Sequence, residues 1–406
     1  MSRQSQPGSP LIYLIAAEES GDALGAALAR ALVAREPGVK LAGVGARSMA
    51  QAGIISPFAI EDLSIFGLTA IPRRLPTILR RIRETADAVI ATRPDAVVII
   101  DSPDFTHRVA RRVRRAAPSI PIVDYVSPSI WAWRAGRARA MRGYIDCVLA
   151  ILPFEPAAHL RLGGPPCLYI GHPLIERVAE LRPNADESKR RGSDPPVVLV
   201  LPGSRSSEIR RLLAIFGAAI GRVAGRFGAI ELVLPTVPHL AERVRAGVAG
   251  WPLKPRIAVE PVEKWAAFRG ARAALAASGT VTLELALAGV PTVGAYRVSL
   301  IEEVVARLMR SPEISTVILT NLVLGENVVP QFLQRDCTPE KLADALLPLM
   351  SETAERRRQV EAFRRLDAVM ALGAPSPSSQ AATIVLDIAR HGRRDAAAAN
   401  KAALTC

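Results

Sequence analysis

Apolar residues along this chain gather in short continuous runs separated by longer mixed stretches. Leu11–Ala17, Val39–Val44, Asp95–Ile100, Ile122–Val126 and Cys147–Leu152 read as strands. Ala23–Ala34 reads as an Ala/Leu-rich helix, and Arg108–Ala116 as a helix dense in arginine. Strands that are apolar throughout are those covered on both faces, and their alternation with helices predicts a parallel, doubly wound sheet. A polar stretch between Gly171-His172-Pro173 and Pro195-Pro196 reads as a domain boundary. A second alternation follows, with strands at Val197–Leu201, Glu231–Leu234, Ile257–Val259, Ala273–Ala276 and Thr292–Ala295. Residues 338–390 read as helices, and residues 1–10 and the Ala-rich tail from Gly392 as frayed ends. The expectation is an α/β protein with domains at 11–180 and 196–390, the second carrying the terminal helices.

Composition narrows the partners. The 406 residues suffice for two domains, each with its own core. Hydrophobic residues make up 50% and aromatic residues 4%, so those cores are aliphatic. A net charge of +14 implies an anionic partner: nucleic acid, a phosphorylated substrate or an anionic membrane. The scarcity of stacking aromatics and the lack of a nucleic-acid motif argue against nucleic acid. Cys147, Cys167, Cys337 and Cys406 have no paired spacing, which fits a reducing compartment and gives no zinc or other metal site. No apolar run reaches the roughly 18 residues of a membrane span. Leu11–Ala17 is too short for a signal-peptide core and ends at Glu18-Glu19. A soluble or peripheral protein is expected.

The first candidate chemistry lies in Ala276 to Arg297. It reads as a strand end, a Ser278-Gly279-Thr280 turn, a helix with Leu283 and Leu287 on one face, and a buried strand after Pro291. Thr280 is expected as the N-cap. Gly279 lets the backbone approach a ligand closely, and the positive helix end favours phosphate. Glu284, one turn in, is placed to accept bonds from a sugar hydroxyl. An ordinary capped helix leaves the same trace. The turn Leu201-Pro202-Gly203-Ser204-Arg205 adds weight: Gly203 and Ser204 can present N–H groups, and Arg205 can fork two bonds onto phosphate. Together they predict a diphosphate site, and the missing GxGxxG pattern argues against NAD.

In the first half, Glu18…Asp22 and Asp101…Asp104 are acidic turns at strand ends. A carboxylate there can act as general base on an alcohol. Asp22 and Asp104 could equally be helix caps, whereas Asp101 follows directly on an apolar strand. Paired carboxylates would also suit a glycoside hydrolase, but that reading leaves the diphosphate site idle. Ser127 to Arg134 holds Trp131 and Trp133 and is followed by Arg137, Arg139 and Arg142; it reads as a cleft wall or as a packed loop. In Leu63 to Arg83, Leu75, Ile78, Leu79 and Ile82 form an apolar stripe with Arg73, Arg74, Arg80, Arg81 and Arg83 off it, and Ile65, Phe66, Leu68 and Ile71 precede it. A basic amphipathic helix of this kind can lie on an anionic membrane or face its own core. In doubly wound sheets ligands bind beyond the carboxyl ends of the strands, where these turns lie. Two such domains facing each other across a cleft are the general plan of a GT-B glycosyltransferase, although fold alone does not fix function.

These residues resemble the lipid-A-disaccharide synthase family over about residues 11–390. The resemblance rests on Tyr125-Val-Ser-Pro-Ser-Ile-Trp-Ala-Trp-Arg134, Leu152-Pro-Phe-Glu155, Gly171-His-Pro173, Leu201-Pro-Gly-Ser-Arg205, Ala277-Ser-Gly-Thr280 with Glu284, Ala295-Tyr-Arg297, and Asn321 followed by Val329-Pro330. It implies a GT-B fold of two facing Rossmann-like domains and an inverting transfer. UDP-2,3-diacylglucosamine would be the donor, 2,3-diacylglucosamine 1-phosphate the acceptor, and UDP and the β-1,6-linked disaccharide 1-phosphate the products, with no cofactor or metal. Asp101 would take the proton of the acceptor's 6-hydroxyl, and Glu18 matches the glutamate of the family's first loop. Ser204, Arg205, Ser278, Gly279, Thr280, Glu284 and Asn321 would hold the nucleotide-sugar. Ser127, Trp131, Trp133 and Arg134 would line the acceptor side. Ile65, Phe66, Leu68, Arg73, Arg74, Arg80 and Arg81 would dock on the anionic inner membrane from the cytoplasmic side; the sequence leaves a homodimer open. Two departures stand out: Ala17 occupies a usual glycine position, and Ala46-Arg47-Ser48-Met49 replaces a Gly-Pro-Arg-Met pattern. Two competing readings are a UDP-sugar 2-epimerase of the same plan and a non-enzymatic binder of anionic lipid.

Overall fold

The computed structural model describes residues 9–60, 71–299, 302–303, 315–371, 373 and 375–393. Ile65, Phe66 and Leu68 lie outside them. The chain divides into two compact units, Met1–Pro173 with Gly373–Cys406, and Leu174–Leu372.

The first unit is a six-stranded parallel sheet in the order β2-β1-β3-β4-β5-β6. Its strands are β1 (Leu11–Ala16), β2 (Lys40–Val44), β3 (Ala96–Ile100), β4 (Ile122–Tyr125), β5 (Cys147–Ala150) and β6 (Cys167–Tyr169). Interleaved helices are α1 (Glu19–Arg35), α2 (Arg47–Gln51), α3 (Ile71–Thr92), α4 (Pro103–Ala116), α5 (Gly136–Met141) and α6 (Glu155–Arg161). Arg73 and Arg74 fall in α3. Strand alternation explains the continuous apolar runs: Ile12, Leu14 and Ala16 enter one core, and Tyr13 and Ile15 the other.

The second unit repeats the plan in the order β12-β11-β10-β7-β8-β9. Here α7 (Val178–Leu181) and α8 (Ala185–Gly192) lead into β7 (Val197–Leu201), α9 (Ser206–Phe227), β8 (Glu231–Pro235), α10 (Ala241–Val248) and β9 (Arg256–Ala258). Then come α11 (Pro261–Gly270), β10 (Ala271–Ala277), α12 (Thr280–Leu287), β11 (Thr292–Tyr296) and β12 (Gln331–Leu333). The register pairs Leu201 of β7 with Ala276 of β10, and Ala277 of β10 with Ala295 of β11, all parallel. The turns after these three strands therefore share one sheet edge.

Two domain expectations are corrected. The polar stretch before Pro195 is not a bare linker: α7 and α8 belong to the second unit. Asn184 closes a capping box with Glu187, and Arg191 donates to the carbonyls of Phe268, Arg269, Ala288 and Gly289. The last helix among the described residues, Pro377–His391, was expected with the second domain and instead packs against α1. Ala381, Ala382, Val385, Leu386 and Ile388 complete the first unit's core beside Ile12, Leu14, Leu28 and Leu32.

Candidate active site

In the first unit the turn after β3 is strained. Asp101 and Ser102 have φ of 54° and 46°, both left-handed, a conformation that costs non-glycine residues on the order of 1 kcal/mol each and persists only when the surroundings enforce it. Four bonds enforce it. The Asp101 N–H donates to the Tyr125 carbonyl at 3.0 Å, and the Thr106 hydroxyl donates to the Asp101 carbonyl at 2.7 Å. The Ser102 N–H donates to Asp101 Oδ1 at 2.7 Å. Ser20, from the turn after β1, donates its hydroxyl to Asp101 Oδ2 at 3.1 Å. The carboxylate is thus fixed, half-exposed and short of saturation, since each oxygen keeps a lone pair.

The neighbouring acids separate by environment. Asp22 is buried and accepts the N–H groups of Ala46, Ser48 and Met49 at 2.6, 2.7 and 3.1 Å, so it caps α2 from another element. The unusual Ala46–Met49 segment is the backbone that Asp22 holds. Asp104 is 84% exposed and meets Arg137 at 3.4 Å. Glu18 is exposed on extended backbone just before α1 and makes no cap bond. Ala17 is buried.

The tryptophan segment is anchored from beneath. Ser127, expected to face an acceptor, is buried, and its hydroxyl meets His159 Nε2 at 2.8 Å. Two residues past the buried strand β4, its hydroxyl is turned inward to brace the loop. Trp131 Nε1 donates to Glu155 Oε1 at 3.3 Å, and its ring meets Phe154 edge-on at 5.1 Å. Trp133 is exposed, with the Arg134 guanidinium 5.5 Å from its ring centre. Burial pushes the Glu155 carboxyl up to about 8 and the His159 imidazole down to about 4. A carboxyl that holds its proton more tightly folded than unfolded stabilises the fold fully at acid pH, and that contribution is lost as pH rises through about 8. Glu155→Gln is expected to flatten the fall of melting temperature between about pH 5 and 9. Thermal melts across that range check it; an unchanged slope would refute the assignment.

Along α3 the stripe splits. Ile82 is buried and Ile78 packs on the core, while Leu75 and Leu79 stay 42% and 47% exposed. Arg81 stacks over Phe58 at 4.5 Å and pairs with Glu84 at 2.7 Å; Arg80 is exposed.

In the second unit, Gly203 has φ of 116°, and a Cβ there would lie 2.2 Å from Glu208 Oε2. That oxygen accepts the N–H groups of Ser204 and Arg205 at 2.9 and 3.1 Å. The sequence reading offered the Ser204 N–H to a phosphate; the structure gives it to the buried Glu208, because a carboxylate three residues into α9 caps its own turn. The Arg205 side chain is 75% exposed, touching Glu208 Oε1 at 3.2 Å. Tyr296, at the end of β11, feels the charges of Glu208 and Arg205, and burial pushes its phenol up.

At α12 the N-cap is Gly279, with Thr280 the first helical residue, because Gly279 takes the φ of 154° that the turn demands. A Cβ on Gly279 would meet no atom of the described residues within 4 Å. The Ser278 hydroxyl donates to the Val317 carbonyl at 2.6 Å. Glu284 accepts from Lys264 Nζ at 2.7 Å.

Asn321, expected to hold the nucleotide, is buried and bound on both sides of its amide. It donates to Thr316 Oγ1 and the Val329 carbonyl at 3.3 and 2.9 Å, and accepts from the N–H groups of Val328 and Val329 at 3.1 and 2.9 Å. It braces the loop that returns to β12. Asn321→Ala strands these buried groups and is expected to cost about 2–4 kcal/mol of stability. Denaturant unfolding checks this; a loss of UDP affinity at unchanged stability would restore the ligand role.

The chain matches the family model described as lipid-A-disaccharide synthetase over residues 12–385. It is 61% identical over 384 residues to a lipid-A-disaccharide synthase of Bradyrhizobium diazoefficiens, covering 94% of this chain and 97% of the relative. The chain belongs to the lipid-A-disaccharide synthase family. A Nitrobacter hamburgensis member is also 61% identical, over 378 residues, covering 93% of this chain and 95% of that one. Membership makes the chain a glycosyltransferase of lipid A biosynthesis, and it disfavours the epimerase and the lipid-binding readings. Solved structures show the GT-B fold alone. One is a crystal structure of Acinetobacter baumannii MurG, with TM-score 0.53, 17% identity, and coverage of 93% of this chain and 99% of that one. Another is a putative UDP-N-acetylglucosamine 2-epimerase of Listeria monocytogenes, with TM-score 0.59, 13% identity, and coverage of 94% and 95%. Among the described residues no helix is long and apolar enough to cross a membrane.

Proposed function

We propose that the first unit supplies the base and the second the nucleotide site for an inverting transfer of diacylglucosamine from UDP to 2,3-diacylglucosamine 1-phosphate. Asp101 removes the proton of the acceptor's 6-hydroxyl as that oxygen forms its bond to the donor's anomeric carbon. The carbon–oxygen bond to UDP breaks on the opposite face, which inverts the centre. The charge gathering on the diphosphate is met by Arg205 and the N-terminal end of α12. Glu284 takes the ribose hydroxyls. The exposed pair Trp133 and Arg134 faces the acceptor sugar and its phosphate, with Trp131 as its anchor. The strained, four-bond turn at Asp101 carries this reading, because strain of that kind gathers where geometry matters to chemistry.

The test is UDP release from UDP-2,3-diacylglucosamine with and without acceptor. Release that requires acceptor, with one disaccharide formed per UDP, is the expected result. Release without acceptor would instead mark an epimerase or hydrolase.

We further propose that α3 docks the enzyme on an anionic membrane through exposed Leu75 and Leu79 and the arginines beside them, including Arg80. Each leucine buried in lipid contributes about 1.5 kcal/mol. Replacing both by aspartate is expected to cut sedimentation with phosphatidylglycerol-rich vesicles at least tenfold while leaving turnover of detergent-dispersed substrates intact. Undiminished sedimentation would exclude this face.

A further inference from the structure

Lys264 had no role in the sequence reading, yet it stands against the glutamate of the nucleotide site. It lies in the first turn of α11, and its ammonium reaches Glu284 Oε2, one turn into α12, at 2.7 Å. Both side chains are largely withdrawn from solvent, 28% and 14% exposed, so the pair is only weakly screened by water. The lysine is held in turn. Its ammonium sits 4.2 Å from the ring centre of Trp265 and 5.3 Å from that of Phe268. Those rings meet edge-on at 5.6 Å, and Arg177 stacks on Trp265 at 4.8 Å. A flexible four-carbon side chain is thereby confined to one position on an aromatic platform.

The consequence falls on the carboxylate. Lys264 holds Oε2, and among the described residues no hydrogen bond engages the other oxygen, which is left for incoming hydroxyls. Side chains of a helix lean toward its N-terminus, which points this carboxylate to the Gly279 end, where the diphosphate is proposed to sit.

We propose that Lys264 is a positioning residue for ribose recognition: it holds the Glu284 carboxylate aimed so that the donor's two ribose hydroxyls are read. This rests on Glu284 being the ribose contact. Because the ribose is remote from the bond that breaks, the contact is made equally in ground and transition state, so its loss raises KM with kcat kept.

The experiment compares UDP with 2′,3′-dideoxy-UDP by calorimetry on the full-length wild type, Glu284→Gln, Lys264→Met and Lys264→Arg. Wild type is expected to favour UDP by about tenfold or more, the scale of a hydrogen bond to a charged group. Lys264→Met collapses that preference to less than threefold and raises the donor KM about tenfold with kcat within twofold, while Lys264→Arg retains most of the preference. If Glu284→Gln keeps the wild-type preference, the ribose assignment itself falls and the inference with it. If Glu284→Gln loses the preference and Lys264→Met keeps it, only the role of Lys264 is overturned. If Lys264→Met weakens both ligands equally, the lysine serves the diphosphate or the fold, and the proposal is likewise overturned.

Discussion

Asp101→Asn is expected to lower kcat by about 10²–10⁴-fold while leaving UDP affinity and melting temperature within error. The substitution is chosen for the turn. Asparagine is among the few residues at ease with a positive φ, and its carbonyl oxygen can still accept from the Ser102 N–H. What it cannot do is take a proton. A larger loss of stability is expected for Asp101→Val, where a β-branched side chain would have to hold φ at 54°. Acceptor-dependent UDP release, read beside a thermal melt, separates the two effects. An Asp101→Asn enzyme that keeps more than about a tenth of kcat would remove Asp101 as the base. Asp104 would then be examined, despite its 84% exposure.

Much of this geometry was legible in the residues because the physics involved is local. Continuous apolar runs marked strands covered on both faces, and helices between them forced parallel pairing, so the turns at Asp101, Gly203 and Gly279 had to lie at carboxyl ends of strands. The strands that escaped notice, Cys167–Tyr169 and Gln331–Leu333, span three residues each, as does Arg256–Ala258, which was read to within a residue as Ile257–Val259. The helix Pro377–His391 was placed with the wrong unit for a reason of its own. Ala381, Val385 and Ile388 form a face that any α/β core would accept, and nothing in that face says that the chain has crossed back to α1.

The site was less legible wherever a side chain answers to a distant partner. Asn321 carries a polar group that suits a nucleotide, and only the fold reveals that its amide is spent on Thr316, Val328 and Val329. Ser127 is spent on His159 in the same way. Asp22 was read as a cap but not as the cap of α2, twenty-four residues from Ala46. Glu208 was the exception that could have been found: glutamate three residues after a turn is the capping-box spacing, and it predicts that the N–H groups of that turn are already taken. Lys264 offered no signal at all, because its partner Glu284 lies on another helix.

That spent pair of N–H groups sharpens the expectation for Arg205. With the Ser204 and Arg205 amides committed to Glu208, the guanidinium is the charged group of this turn that can meet a diphosphate, 75% exposed and touching Glu208 Oε1 at 3.2 Å. Arg205→Ala is therefore expected to reduce kcat by about 10²–10³-fold, the scale of one preorganised donor removed from developing charge. Stability should hardly change, because the guanidinium is 75% exposed and the buried Glu208 keeps its bonds from the Ser204 and Arg205 N–H groups. Arg205→Lys is expected to recover only part of the rate, since an ammonium restores the charge without the two-pronged geometry that matches phosphate. Steady-state kinetics with varied donor decide the point. A loss confined to KM, with kcat intact, would mean that Arg205 holds UDP equally before and during transfer, and the leaving-group charge would then fall to the α12 terminus alone.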